Sequence, residues 1–169
     1  MAIRRQLRKR SAVEPASVDH RDAHSALVSA ALAALARRDF ASAELAAQLE
    51  SRGYAHEAVA TVIAELRAAR ALDDARFAEA YVAAQSRRGH GPERIARVLA
   101  ARGLTEEAVQ AALASGPDWT ALARALREKK FGREPPSDWA GWARQARFLQ
   151  YRGFSTDHIR SALGRDLDP

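Results

Sequence analysis

Cysteine is absent from the 169 residues, so neither disulfides nor thiolate metal sites can hold this fold, and the redox compartment is left open. Aromatic side chains supply only 7% of the chain. Apolar residues reach 47%, but alanine makes up much of that share, and alanine-rich helices bury little area each. No stretch approaches the roughly 18 apolar residues of a membrane span. Met1–Arg10 is basic and lacks the apolar core of a signal peptide. These absences lead to the expectation of a cytoplasmic protein that crosses no membrane.

The inventory for catalysis is equally thin. Neither a G-x-x-x-x-G-K-[ST] nor a G-x-G-x-x-G pattern occurs, and Gly89-His90-Gly91 is too short to cradle a phosphate. His20 and His24, four apart, would share a helix face, but no third metal ligand stands near them in sequence, and the pair reads as structural. Asp73-Asp74 reads as a helix cap and not as a catalytic carboxylate pair. The expectation is a protein that is not an enzyme and uses no cofactor or metal.

What the chain does have is a repeat. Leu49-Glu50-Ser51-Arg52-Gly53-Tyr54, Leu99-Ala100-Ala101-Arg102-Gly103-Leu104 and Leu149-Gln150-Tyr151-Arg152-Gly153-Phe154 carry one pattern in one phase. Each glycine follows an amphipathic helical run and takes the left-handed conformation that ends a helix without a Cβ clash. With glycine at C′, the leucine is C3 and Tyr54, Leu104 or Phe154 is C″, the apolar pair of a Schellman cap. Beyond the turn, Val59, Val109 and Ile159 and then Ile63, Leu113 and Leu163 keep step on one helix face.

The unit is therefore helix, glycine turn, helix, and the chain reads as an all-α array of three tandem three-helix repeats, elongated and curved. Residues 1–20 are expected to form a disordered basic tail, followed by repeats over 21–71, 72–116 and 117–169. The first helix is expected from about Asp22 to Arg38, with Leu27, Ala31, Leu32 and Leu35 on its apolar face. Ser42, Asp73 or Asp74, Thr105, Asp118, Ser137 or Asp138, and Ser155 are the expected helix starts. Pro92 suits the first position of the fifth helix. Phe77, Ala80, Tyr81 and Ala84 are the expected stripe of the fourth, and Pro135-Pro136 marks a loop.

The net charge of +6 calls for a phosphate backbone or an acidic protein surface as partner. Residues 21–73 hold six basic and seven acidic groups, whereas 117–169 hold ten against seven. The candidate contact residues fall into sets. Arg87, Arg88, Arg94, Arg97 and Arg102 gather around the middle turn. Arg127, Lys129, Lys130, Arg144, Arg147 and Arg152 lie in the third repeat, and Arg37 and Arg38 close the first helix. A helix dipole needs one charge at its C-terminus, so sets of this size call for a partner. One reading of the turns is an autonomous helical DNA-binding protein that uses them as helix-turn-helix units.

The strings Leu72-Asp73-Asp74-Ala75-Arg76-Phe77-Ala78-Glu79-Ala80-Tyr81-Val82, Arg88-Gly89-His90-Gly91-Pro92-Glu93-Arg94-Ile95 and the turn that ends in Leu104 closely resemble the RecX family of bacterial RecA regulators. Leu35–Leu45 and Phe148–Phe154 resemble it more loosely. The resemblance implies a non-enzymatic modulator that lodges in the groove of the RecA–DNA filament. It would limit filament growth, ATP hydrolysis, strand exchange and co-protease activity. The partners implied are the RecA filament and weakly held single- or double-stranded DNA, and a monomer is expected.

Overall fold

The computed structural model describes residues 15–164, with nine α-helices and no strand among them. α1 (Pro15–Leu35), α2 (Ser42–Glu50) and α3 (His56–Ala68) make the first module. α4 (Asp74–Arg87), α5 (Pro92–Ala101) and α6 (Glu106–Ala114) make the second, and α7 (Trp119–Phe131), α8 (Trp139–Arg152) and α9 (Thr156–Leu163) the third. In every module the last helix packs on both of the others. The expected tail falls, for residues 1–14, outside the described residues. Its remainder is helical, because α1 begins at Pro15, where a first-turn proline forfeits no helical hydrogen bond.

Each module has its own core. Leu27, Leu45, Leu49, Val59 and Val62 are buried together in the first, and Phe77, Val82, Ile95, Leu99 and Val109 in the second. Ala123, Leu149, Phe154 and Ile159 centre the third. Trp119 packs against both the second and the third, and Ala41 reaches from the first module into the second core. Three small cores in series are what a repeat of alanine-rich helices can build, each side chain burying modest area.

The glycine turns carry the expected geometry. Gly53, Gly103 and Gly153 have φ of 94°, 83° and 87°. The amides of Tyr54, Leu104 and Phe154 donate to the carbonyls of Leu49, Leu99 and Leu149 at 3.4, 3.3 and 3.2 Å, while each glycine amide donates to the residue three before it. That is the paired bonding of a Schellman cap, with the C3 leucine fully buried in all three copies.

Five expected side-chain caps are in place. Asp73, Thr105, Asp118 and Ser155 accept from the amide three residues on, as does Asp138 at 2.6 Å. The Arg76 amide also holds the Asp73 carboxyl below its ordinary pKa. Ser42 departs from expectation. It is the first residue of α2, after Ala41, and its own hydroxyl caps nothing. The Ser42 amide donates instead to Asp74 Oδ1 at 2.7 Å, a carboxylate from the next module.

Two apolar faces also differ from the expected ones. On α1, Ala31 and Ala34 are buried and Leu32 is 47% exposed, because alanines let the neighbouring helices approach on their side. On α4 the buried line is Phe77, Ala78, Val82 and Ser86, with Ala80 exposed and Tyr81 half-buried. The fourth helix carries alanine at many positions, so the pattern alone leaves its rotation open and the packing of α5 and α6 decides it.

The modules join at the same place each time: the glycine turn of one sits on the N-terminus of the second helix of the module before. A Cβ on Gly103 would run into the Ala43 side chain, and one on Gly153 into Arg94. Gly53, in the first described module, has no described atom within 4 Å of where a Cβ would stand. Accordingly Tyr54 is half-buried whereas Leu104 and Phe154 are covered.

The two joints differ in their bonds. Between the second and third modules, the Gly91 and Glu93 amides donate to the Arg152 and Gly153 carbonyls at 2.8 and 3.0 Å. The C-terminus of α8 thus caps the N-terminus of α5, dipole to dipole. Between the first and second modules, the Asp74–Ser42 bond is joined by an Arg102–Glu44 ion pair at 3.6 Å. Asp74→Ala strands the Ser42 amide, which lies in a buried residue, and is expected to cost about 1–2 kcal/mol. Asp74→Asn, which keeps the acceptor, restores most of it. Thermal melts of both variants check this.

Candidate functional site

Beside the joint of the second and third modules lies an open groove of about 760 Å³. Three helices supply its walls. The turn into α5 places His90 and Arg94, and the end of α7 places Lys130 and Phe131. α8 adds Arg144, Arg147 and Phe148, then Tyr151 and Arg152. Arg144, Arg147 and Tyr151 stand three and four apart on α8, and so share one side of it. Five of the lining residues are cationic, three are aromatic, and no carboxylate takes part.

The cations and rings interleave. Phe131 and Phe148 meet edge to face, with centroids 5.5 Å apart and planes at 80°. Lys130 Nζ stands 4.2 Å from the Phe148 centroid, Arg152 lies 5.4 Å from that ring, and Arg144 lies 5.9 Å from Phe131. Such cation–π contacts hold charged heads over apolar faces without a counter-ion. Arg152 also donates from Nη1 to the Arg88 carbonyl at 3.1 Å, which ties the groove to the second module.

His90 reports the local potential. Its burial, and then the charges of Arg94, Arg152 and Arg88, push its pKa below the usual value. Its Nδ1 lies within hydrogen-bonding distance of Gln85 Oε1, at 2.9 Å.

A second depression adjoins the first and shares Lys130, Phe148 and Arg152 with it. It adds Arg87, Arg88 and Lys129. The structure therefore brings the middle cluster and the third-repeat cluster, far apart in sequence, to one basic face across the joint. Arg37 and Arg38 lie elsewhere, in a separate pocket of the first module with Arg52. There Arg38 stacks 3.5 Å from the Phe40 centroid and pairs with Glu44 at 2.8 Å. Arg97 is exposed on α5 and lines neither basic depression. Arg102 is half-buried, over the rings of Tyr81 and Phe77 at 4.9 and 5.5 Å, and serves the first joint.

Arg127 requires a correction. It is 4% exposed, and its guanidinium donates to the Glu134 and Arg133 carbonyls at 2.9 and 3.0 Å, so it anchors the diproline loop and presents no charge to a partner. The helical period turns this one arginine of its cluster inward, beside Ala123. Arg127→Met keeps the bulk and removes both bonds. The expected result is a loss of about 2 kcal/mol in thermal or urea unfolding, since charged donors to carbonyls are worth about 1.5–3 kcal/mol. Binding through the groove should stay unchanged.

Of the histidine pair, His24 lies 3.1 Å from Glu65. No group of three metal ligands occurs among the described residues, and the His20 side chain lies outside them. Sequence reasoning passed over Phe131, Phe148, Tyr151 and His90 as site residues. The available signal was adjacency: Lys130-Phe131, Arg147-Phe148 and Tyr151-Arg152 each set a ring beside a cation.

Fold and groove together define a tandem array of three-helix modules with a basic, aromatic-studded face. Residues 73–113 match the model of the second three-helix domain of RecX, and residues 118–163 that of the third. Together these cover most of the second and third modules, and the chain belongs to the RecX family. Two solved structures share its fold. The crystal structure of regulatory protein RecX superposes with a TM-score of 0.77 at 21% identity, over 92% of this chain and 80% of that one. The crystal structure of RecX from Lactobacillus salivarius gives 0.75 at 23% identity, over 83% and 94%. Among curated proteins none matches by sequence. No helix among the described residues is long and apolar enough to cross a membrane.

Proposed function

We propose that the chain is a non-enzymatic, cytoplasmic regulator of the RecA recombinase. It binds as a monomer along the groove of the RecA–DNA filament and limits filament growth, with ATP hydrolysis, strand exchange and co-protease activity falling in consequence. The observation that carries this reading is that the two modules matching the family frame a face where the middle and third-repeat arginine clusters converge.

The physics supports it. A series of modules lying along a helical fibre touches several successive subunits, so many modest contacts add up through effective concentration. Limiting filament growth by occupying a site asks for surface complementarity and charge, and no reactive group. Weak contact with single- or double-stranded DNA belongs to the same reading, since the groove offers cations to phosphates.

The test is the single-strand-dependent ATPase of RecA with increasing amounts of this protein. Inhibition at substoichiometric to equimolar ratios is expected. An unchanged rate at equimolar protein overturns the proposal.

A further inference from the structure

Three rings line the basic groove, and they are not equivalent. Phe131 and Phe148 pack on each other, and Lys130, Arg144 and Arg152 stand over their faces. Among the described residues Tyr151 stacks on no ring and lies under no cation, and it is 82% exposed. A ring so placed on a helix contributes little to folding, because its apolar area stays in water. Its neighbours in the groove include Arg147, one helical turn before it on α8, and Arg94 across the joint.

Taken together, the groove holds fixed cations without a carboxylate, with one open aromatic face among them. Duplex DNA can use the cations, but its bases are already stacked and paired. An unpaired strand can use both, with phosphates on the arginines and a base on the ring. An acidic peptide can use the cations and gains little from the ring.

We infer that Tyr151 is a base-stacking residue that makes this groove prefer single-stranded nucleic acid over duplex. This rests on the proposed reading of the groove as the contact face, and it gives that face a ligand class and a discriminating residue. Arg147 and Arg94 hold the backbone on either side while the base lies on the Tyr151 ring. Stacking on a ring tolerates any base, so the preference concerns strandedness and not sequence.

The experiment needs no RecA, so its outcome is separate from that of the filament assay. Fluorescence anisotropy compares a labelled thymidine oligonucleotide, an abasic oligonucleotide with the same number of phosphates, and a duplex of the same length. The thymidine strand is expected to bind about tenfold tighter than the abasic strand, in line with base–aromatic stacking. Tyr151→Ala should erase that difference and leave the abasic affinity and the salt dependence as they were. Tyr151→Phe should restore it, and circular dichroism melts should be the same for all three proteins.

Equal binding of the thymidine and abasic strands by the unaltered protein overturns the inference. So does a Tyr151→Ala loss that is as large on the abasic strand. Displacement of the thymidine strand by a poly-glutamate peptide as readily as by unlabelled thymidine strand also overturns it, and points to an acidic protein surface as occupant.

Discussion

Gly153→Ala is expected to lower the melting temperature by about 10 °C. Two costs add at this position. The backbone has φ of 87°, where a side chain pays about 1–2 kcal/mol. The added Cβ would also lie 2.6 Å from the Arg94 amide nitrogen and inside contact with the Arg94 side chain, which is part of a helix that cannot retreat. Overpacking of that kind costs about 1–3 kcal/mol, so the sum reaches about 3 kcal/mol, and for a chain of this length each kcal/mol moves the melting point by about 2–4 °C.

Gly53→Ala is the internal control. It has the same backbone conformation, with φ of 94°, and nothing within 4 Å of the new methyl. A shift of only a few degrees is expected there. Gly103 falls between, because a single rigid atom, the Ala43 Cβ, stands in the way of the new methyl, against three atoms of Arg94 at Gly153. Melts of the three alanine variants side by side check the ranking. Equal shifts would mean that the turns do not bear on the preceding module.

Arg144→Glu with Arg147→Glu should abolish inhibition of the RecA ATPase. The groove lining carries five cations and no carboxylate, so reversing two of them leaves three positive against two negative, a net of one. Association driven by phosphate or acidic partners then loses most of its field, and DNA affinity should fall more than tenfold at about 0.1 M salt, with a shallower salt slope. Both arginines are exposed, and neither crosses a module joint, so the melting temperature should hold. Full inhibition by the double variant would remove the groove from the mechanism. Reversal at Arg97, which lines neither depression, should do much less, although its spacing from Arg94 made the two look equivalent.

The repeat and its turns were readable from residues because their causes are local. A glycine at C′, a leucine at C3 and an apolar C″ specify one turn wherever they occur, and Thr105, Asp118 and Ser155 cap helices by reaching three residues along their own chain. What escaped has causes outside the local window. The amide of Ser42 is satisfied by Asp74, thirty-two positions away, because module stacking brings the start of α4 beside the start of α2. The rotation of α4 escaped for a related reason, since a helix with alanine on several sides accepts more than one buried face.

The contact face was half legible. Counting charge located the clusters but could not say that Arg87 and Arg88 meet Lys129 and Lys130 across a joint, or that Arg127 turns inward. The rings at 131, 148 and 151 were visible as residues. Their role emerges only when three helices converge.

The unlike fastening of the two joints has a mechanical consequence. Main-chain bonds between α8 and α5 contain no group that titrates and no charge that dissolved ions screen, whereas the link from α2 to α4 and α5 relies on carboxylates and a guanidinium. Rising ionic strength is therefore expected to weaken the first joint more than the second, though the packing of Ala41 in the second core does not depend on salt. The basic face thus rests on the joint that dissolved ions affect less, and the first module on the joint they affect more.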